Sequence, residues 1–252
     1  MKKILFFTGK RGGFNHFTPI IEKLKKKYKI SIIYSDMHTN NYFGNTHKQH
    51  QLNFVNNILI KTIQNAERDT KINRAKQIPL GMFKNIEILK KLKPDIVLII
   101  GDRAELFTIA IPAVILNIPI LHLYGGDISE GSYDNLFRYS LSFLSSFHLV
   151  SNEKSRKNLL KIGIDPNNIF NFGLIALNKV NYFRKVNVND YLKKLKLSSK
   201  KKNIIVIFHP ETIKKTNTKI QIKSILNSLK KIDDNIIFIY PCSDPGYKII
   251  VN

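Results

Sequence analysis

The sequence predicts an α/β chain built on a doubly wound, parallel sheet, followed by a second α/β unit that starts afresh near residue 203. Three observations carry this reading. Short apolar, β-branched runs alternate with stretches of helical spacing from the first residues onward. One run, Asp95 to Ile100, is unbroken apolar sequence after its first residue, as a strand covered on both faces requires. Glycines and acidic residues follow the runs directly, where open α/β sheets place their chemistry.

Element by element, Lys3 to Thr8 reads as a strand ended by Gly9, and Phe17 to Lys27 as a helix. Ile30 to Tyr34 is a second β-branched strand, and polar Asn40 to Gln51 reads as a loop. Lys76 to Leu92 has helical spacing and leads into the Asp95 strand. Glu105 to Leu116 reads as a helix, Ile118 to Leu123 as a strand, Leu136 to Ser145 as a helix, and Phe147 to Val150 as a strand. Ser151 is positioned to cap a helix over Glu153 to Lys161 that stops at Gly163. Ile169 to Phe172 closes this unit as a short strand.

A first domain over 1–178 follows, then a Lys-rich linker with helical character over 179–202, then a partial domain over 203–252. The last contains a strand at Asn203 to Phe208, a helix at Lys219 to Lys231 and a strand at Asn235 to Tyr240. Two strands and one complete helix leave a sheet face uncovered, so the second domain is expected to be incomplete.

Composition narrows the function classes. With 43% hydrophobic residues in 252, a sizeable core is possible and global disorder is excluded. The single cysteine, Cys242, allows no internal disulfide and fits a reducing compartment. The opening apolar run is too short for a signal peptide and is broken by Gly9-Lys10-Arg11. No apolar run approaches the ~20 residues of a membrane span, so a cytoplasmic chain without a membrane partner is expected. The net charge of +23 is large. Its lysines are scattered over many helix faces and do not interleave with aromatics. No nucleic-acid partner is expected beyond non-specific charge attraction.

The most informative stretch runs from Ile120 to Arg138. It turns on Gly125-Gly126 and presents Asp127, Glu130 and Asp134 before an amphipathic run. Upstream, Asp102 follows a buried strand and Gly101; it reads either as an acid–base carboxylate or as the N-cap of the following helix. Arg103 reads as a phosphate ligand, as a group orienting Asp102, or as half of a surface ion pair. Asp134 precedes Arg138 by one helical turn, which puts the two on one face, either for function or as an ordinary ion pair. Glu130 is either a site acid or a first-turn residue favoured by the helix dipole. His209, before Pro210 at a strand end, is suited to proton transfer or to charge stabilisation. His122, inside a strand, reads as a satisfied core histidine. Gly9, Gly12 and Gly13 make a tight strand-to-helix turn without the G-x-G-x-x-G fingerprint. Asp244 lies in a Pro-Cys-Ser-Asp-Pro-Gly turn.

Five segments resemble one family. They are Thr8-Gly-Lys-Arg-Gly-Gly-Phe14; Asp36-Met-His38 with Phe43-Gly-Asn-Thr46; Leu92 to Arg103; the 120–138 stretch; and Phe208-His-Pro-Glu-Thr212 with Tyr240 to Gly246. In order, they resemble the hydrolysing UDP-N-acetylglucosamine 2-epimerases, and most of all the bacterial branch that feeds sialic-acid-type sugar synthesis. The resemblance implies two Rossmann-like domains of the GT-B type, the second incomplete here, with UDP mainly against the second and the sugar between them. It implies elimination of UDP across C1 and C2 to a glycal, then hydration with inversion at C2. The substrate would be UDP-N-acetylglucosamine or UDP-N,N′-diacetylbacillosamine. It assigns catalysis to Asp102, Asp134, His209 and Asp127, and substrate binding to Arg11, Arg103, Gly125, Gly126, Arg138 and Asp244. It requires no metal and no cofactor, and it implies a homodimer were the second domain complete.

Departures from the family pattern fall on Gly13, where relatives carry Asp or Glu, on Tyr124, where they carry Glu or His, and on Tyr139, which replaces a His. A tyrosine could act as acid or base there only with a strongly lowered pKa. The family's Gly-Asn-Ser-Ser-Gly segment would lie beyond Asn252, so the chain alone is expected to bind UDP weakly and turn over poorly. Alternative readings are a glycosyltransferase relative of the same architecture and a non-catalytic basic fragment.

Overall fold

Seven parallel strands organise the first of two units, Met1–Leu177; the second is Asn178–Asn252. The computed structural model describes residues 1–50, 52–61, 71–130, 132–179, 186–210, 217–244 and 246–251. In the first unit the strands are β1 (Lys3–Thr8), β2 (Lys29–Tyr34), β3 (Asn56–Leu59), β4 (Ile96–Ile100), β5 (Ile120–Leu123), β6 (Phe147–Val150) and β7 (Ile169–Asn171). Their order is β3-β2-β1-β4-β5-β6-β7. The chain therefore builds outward from β1 on one side, then returns to lay β4 against its other side. The two halves of the sheet diverge between β1 and β4, and this is the switch point where doubly wound folds bind ligands.

Among the described residues, five longer helices cover the sheet: α1 (Arg11–Leu24), α2 (Lys71–Leu92), α3 (Phe107–Ile115), α4 (Asp134–Phe143) and α5 (Glu153–Lys161). Strand β1 shows why its run is continuously apolar. Leu5 and Phe7 point into a core with Val97, Ile99, Leu89 and Ile109, while Ile4 and Phe6 point into another with Phe14, Phe17, Ile21 and Ile32. Helix α1 starts at Arg11, six residues before the expected Phe17, because Gly13 lets the first turn press on the sheet. A Cβ at Gly13 would lie 3.2 Å from the Ile100 side chain. Likewise Gly81 admits Thr108 so that α2 and α3 pack closely.

Three local expectations need correction. The segment expected as a polar loop over Asn40 to Gln51 holds two 3-10 turns and a helical turn at His47–His50, with residue 51 outside the described set. Its polar groups satisfy one another: His38 is buried and bonds Thr8 Oγ1 (2.9 Å) and Thr46 Oγ1 (3.0 Å), while His47 Nδ1 donates to the His38 carbonyl (2.6 Å). Strand β3 carries no apolar run, yet Asn56 to Leu59 continue the sheet beside β2. The cap of α5 is Asn152, whose side chain accepts the Ser155 N–H at 2.9 Å; Ser151 turns elsewhere.

The second unit pairs β8 (Asn203–Val206) with β9 (Asn235–Phe238) in parallel. Around them lie α6 (Val188–Lys194), α7 (Thr218–Leu229) and α8 (Tyr247–Val251). Both strands end two residues before the expected Phe208 and Tyr240. Ile205, Ile207, Phe238 and Ile239 are exposed. Among the described residues, no helix is long and apolar enough to cross a membrane.

Two buried histidines on neighbouring strands couple the fold to pH. Burial pushes His122 down to about 4 and His148 down to about 4. Both stay neutral in the folded chain while the unfolded chain protonates near 6.5, so their contribution is complete above that pH and is lost on acidification toward 4. Each is worth roughly 3 kcal/mol across that window. The urea midpoint should be level above pH 7 and fall steeply between pH 6.5 and 4. A midpoint that holds constant over that interval would contradict the assignment.

Candidate functional site

The C-terminal ends of the first-unit strands enclose a cleft of about 350 Å³. The turn after β1 contributes Lys10, and the start of α1 contributes Gly12, Gly13 and His16; Ile100 ends β4, and Gly101 and Asp102 follow it; the turn after β5 contributes Tyr124 and Asp127. Arg138 of α4, Ser151 after β6 and Leu174 after β7 complete it. Its size is at the lower end of small-molecule sites and suits one hexose-sized group.

The floor is a buried ion pair. Asp102 Oδ2 accepts a hydrogen bond from Arg138 Nη2, and Lys10 Nζ lies 3.7 Å from Oδ1. Asp102 is thus no helix cap; the following 3-10 turn, Ala104–Leu106, lacks a side-chain cap. Arg138 reaches further: Nη1 donates to the Asp127 carbonyl (2.7 Å) and Nη2 to Ser129 Oγ (3.2 Å). One guanidinium therefore joins the end of β4 to the loop after β5.

Two glycines make that loop possible. A Cβ at Gly125 would stand 2.8 Å from Ser142 Oγ. Gly126 has φ +78, and a Cβ there would meet the Ser155 carbonyl at 2.2 Å. This close approach brings Asp127 to the start of α5. Its Oδ1 accepts from Ser155 Oγ and from Ser151 Oγ (3.3 Å). Beneath, His122 Nε2 donates to the Gly101 carbonyl at 2.7 Å, so this histidine is the satisfied core residue its strand position suggests.

Tyr124 spans the cleft. Its hydroxyl meets His16 Nδ1 at 2.8 Å and accepts the Ile175 N–H at 3.0 Å. Burial pushes the phenol above its ordinary value, although the Ile175 N–H pulls the other way. Burial also raises Tyr139. Neither has the lowered pKa that a tyrosine base would need.

Residues 22–252 match the family model described as UDP-N-acetylglucosamine 2-epimerase. The chain belongs to this family. It is 31% identical to the Polysialic acid biosynthesis protein P7 of Escherichia coli, over 99% of this chain and 64% of that protein. It is 29% identical to the UDP-N,N′-diacetylbacillosamine 2-epimerase (hydrolyzing) of Legionella pneumophila, over 99% of the chain and 66% of the relative. It is 31% identical to the GDP/UDP-N,N′-diacetylbacillosamine 2-epimerase (hydrolyzing) of Campylobacter jejuni, over 84% and 55%. The chain thus spans between 55% and 66% of the length of these curated relatives. Among solved structures, it superposes on the UDP-GlcNAc 2-epimerase of Neisseria meningitidis, bound to UDP-GlcNAc, with TM-score 0.78 and 20% identity, covering 99% of this chain and 68% of that one. The Methanocaldococcus jannaschii enzyme, in complex with UDP-GlcNAc and UDP, gives 0.75 and 22%, covering 100% and 68%. These likenesses show the fold: an α/β chain with GT-B-type neighbours.

Of the residues the epimerase-family motifs single out, Asp102, Asp127 and Arg138 share the cleft, with Gly125 and Gly126 shaping the loop beside it. Asp134 opens α4, half-buried, with its N–H donating to Ser132 Oγ (2.8 Å), and stands apart from the lining. Arg103 is no surface pair: it is largely buried, 3.3 Å from Glu105 and 4.0 Å from Asp36. Arg11 is the first residue of α1. In the second unit, His209 and Asp244 come together at the ends of β8 and β9, with His209 Nδ1 3.9 Å from Asp244 Oδ2 and accepting the Cys242 N–H at 3.5 Å. Lys10, His16 and Ser151 are cleft residues that the sequence did not single out. Lys10 sits beside the motif arginine, and charge next to a strand-end glycine was the available signal. Among the described residues, no group of three or more His, Cys, Asp or Glu could hold a metal ion.

Removing one partner of a buried ion pair strands the other. Arg138→Met should cost about 3–5 kcal/mol in urea unfolding, whereas Lys10→Met, at a half-exposed pair, should cost under ~1 kcal/mol. Equal losses in the two variants would contradict the ranking.

Proposed function

We propose that the chain carries the chemistry of a hydrolysing UDP-2-acetamido-sugar 2-epimerase, releasing UDP and the free, C2-inverted sugar. The observation that supports it most is the buried Asp102–Arg138 pair, with Lys10 beside it, on a hexose-sized cleft at the switch point of the sheet. Family membership gives that arrangement its reaction class. UDP-N,N′-diacetylbacillosamine is our first candidate substrate, because the Legionella and Campylobacter relatives bear that name.

In this reading Asp102 removes the C2 proton as the C1–O bond breaks and its electron pair leaves on the diphosphate. The glycal then takes a proton at C2 from the opposite face, and a water oxygen adds at C1. Residues 1–178 serve the sugar, through Asp102, Asp127, Asp134 and Arg138, with Arg11, Arg103, Gly125 and Gly126 as binding residues. Residues 203–252 serve the nucleotide, through His209 and Asp244. We further propose a homodimer for the form in which the second domain is complete.

Incubation in heavy water tests this. With UDP-N,N′-diacetylbacillosamine or UDP-N-acetylglucosamine, UDP release should be accompanied by one deuterium at C2 of the free sugar. Asp102→Asn should lower both by about 100-fold or more. UDP release without deuterium at C2 would mean simple hydrolysis, and transfer of the sugar to an added acceptor would favour the glycosyltransferase reading.

A further inference from the structure

Inversion at C2 by elimination and readdition sets a geometric demand. The proton leaves from one face of the sugar ring and another arrives on the opposite face. Asp102, fixed by an arginine, reaches one face only, so the proton for the other face comes from a different acid–base group, and the cleft wall is the first place to seek it. The titratable and charged side chains on its wall are Lys10, His16, Asp102, Tyr124, Asp127 and Arg138. Arg138 is engaged with Asp102, and Asp127 Oδ1 is held by two serine hydroxyls. Lys10 stands beside Asp102 itself. Tyr124 is a phenol that burial keeps protonated. His16, whose neutral and cationic forms interconvert near neutral pH, lines the same cleft from α1, in edge-on contact with the Tyr124 ring at 5.0 Å between centroids.

Tyr124 is an unusual residue at its position. Its φ is +62, a left-handed conformation that bulky side chains rarely adopt. The strained backbone carries the hydroxyl to a point where it bridges His16 and the backbone of Ile175, across three separate parts of the unit. A hydroxyl is also a special partner for an imidazole. With the Ile175 N–H on one lone pair, it can donate to a bare Nδ1 or accept from a protonated one. A carboxylate would instead hold the ring as a cation. Tyr124 therefore orients His16 in both protonation states, which a group that gives and regains a proton requires.

We propose that His16 is the second acid–base group of the epimerase reaction, and that Tyr124 is its positioning residue. This rests on the epimerase reading above. Asp102 takes the C2 proton during elimination, and UDP departs with the C1–O electron pair. Protonated His16 then gives its proton to C2 of the glycal from the other face. The water oxygen bonds to C1 as its proton passes to solvent. Solvent exchange returns a proton to His16 and removes one from Asp102. The sum is one water consumed and one proton released with UDP.

The test separates the two half-reactions. With a UDP-2-acetamido sugar, His16→Gln should still release UDP but should accumulate the 2-acetamidoglycal, with free sugar reduced about 100-fold. Tyr124→Phe should lower kcat more than it raises KM, and should move both the pH profile of kcat and the imidazole titration of His16 followed by NMR. Melting curves of both variants would show that they fold. Equal loss of glycal and sugar in His16→Gln, unchanged sugar release, or an unmoved His16 titration in Tyr124→Phe would overturn the proposal. If the unmodified chain releases no UDP from either sugar, the epimerase reading itself fails and this assignment falls with it. UDP release by the unmodified chain with an unaffected His16→Gln variant refutes the assignment of His16 alone.

Discussion

A carboxylate withdrawn from water persists only beside a counter-charge or several donors. Asp102 meets that demand through Arg138, whose two terminal nitrogens also donate to the Asp127 carbonyl, Ser129 and Asn135. One side chain from α4 thus sets the spacing between the end of β4 and the loop after β5. The loop's own course depends on Gly126 lying against α5. Cleft shape and charge placement are therefore one property. The acid that faces the cleft is fixed by the same bonds that hold its walls.

The polar network beyond that pair follows the same logic. Asp127 links two serines at the head of α5, Tyr124 links α1 to the segment after β7, and His122 fastens β5 to the turn after β4. Each contact joins elements that the strand order β1-β4-β5-β6-β7 brings together at one end of the sheet. Groups held in this way pay little reorganisation when charge develops in a reaction.

Much of the frame was legible in the sequence because its signals are local. The bounds expected for β1 and β6 coincide with the structure, and Asp102 advertised itself by following an apolar run and a glycine. Helix α1 began earlier than its apolar spacing indicated, because Gly12-Gly13 reads as a turn until the packing against Ile100 is known. Strand β3 was hidden by two asparagines, and Ser151 looked as good a cap as Asn152. The partners of the site residues were less legible still. His16 and Tyr124 are 108 positions apart, and Arg138 and Asp102 are 36 apart. No local periodicity encodes which of several charged residues will meet; the order of the strands decides it.

That order also governs how the molecule comes into being. Strand β1 ends up at the middle of the sheet, and its second edge is closed by a segment 92 residues later, where the Lys3 amide meets Asp95. At ~5–20 residues per second, a ribosome needs roughly 5–20 s to deliver that segment. For this interval Ile4, Leu5, Phe6 and Phe7 have at most one neighbouring strand, β2. The nascent chain thus carries an unpaired apolar edge until β4 is delivered, an opportunity for chaperones and a hazard for aggregation.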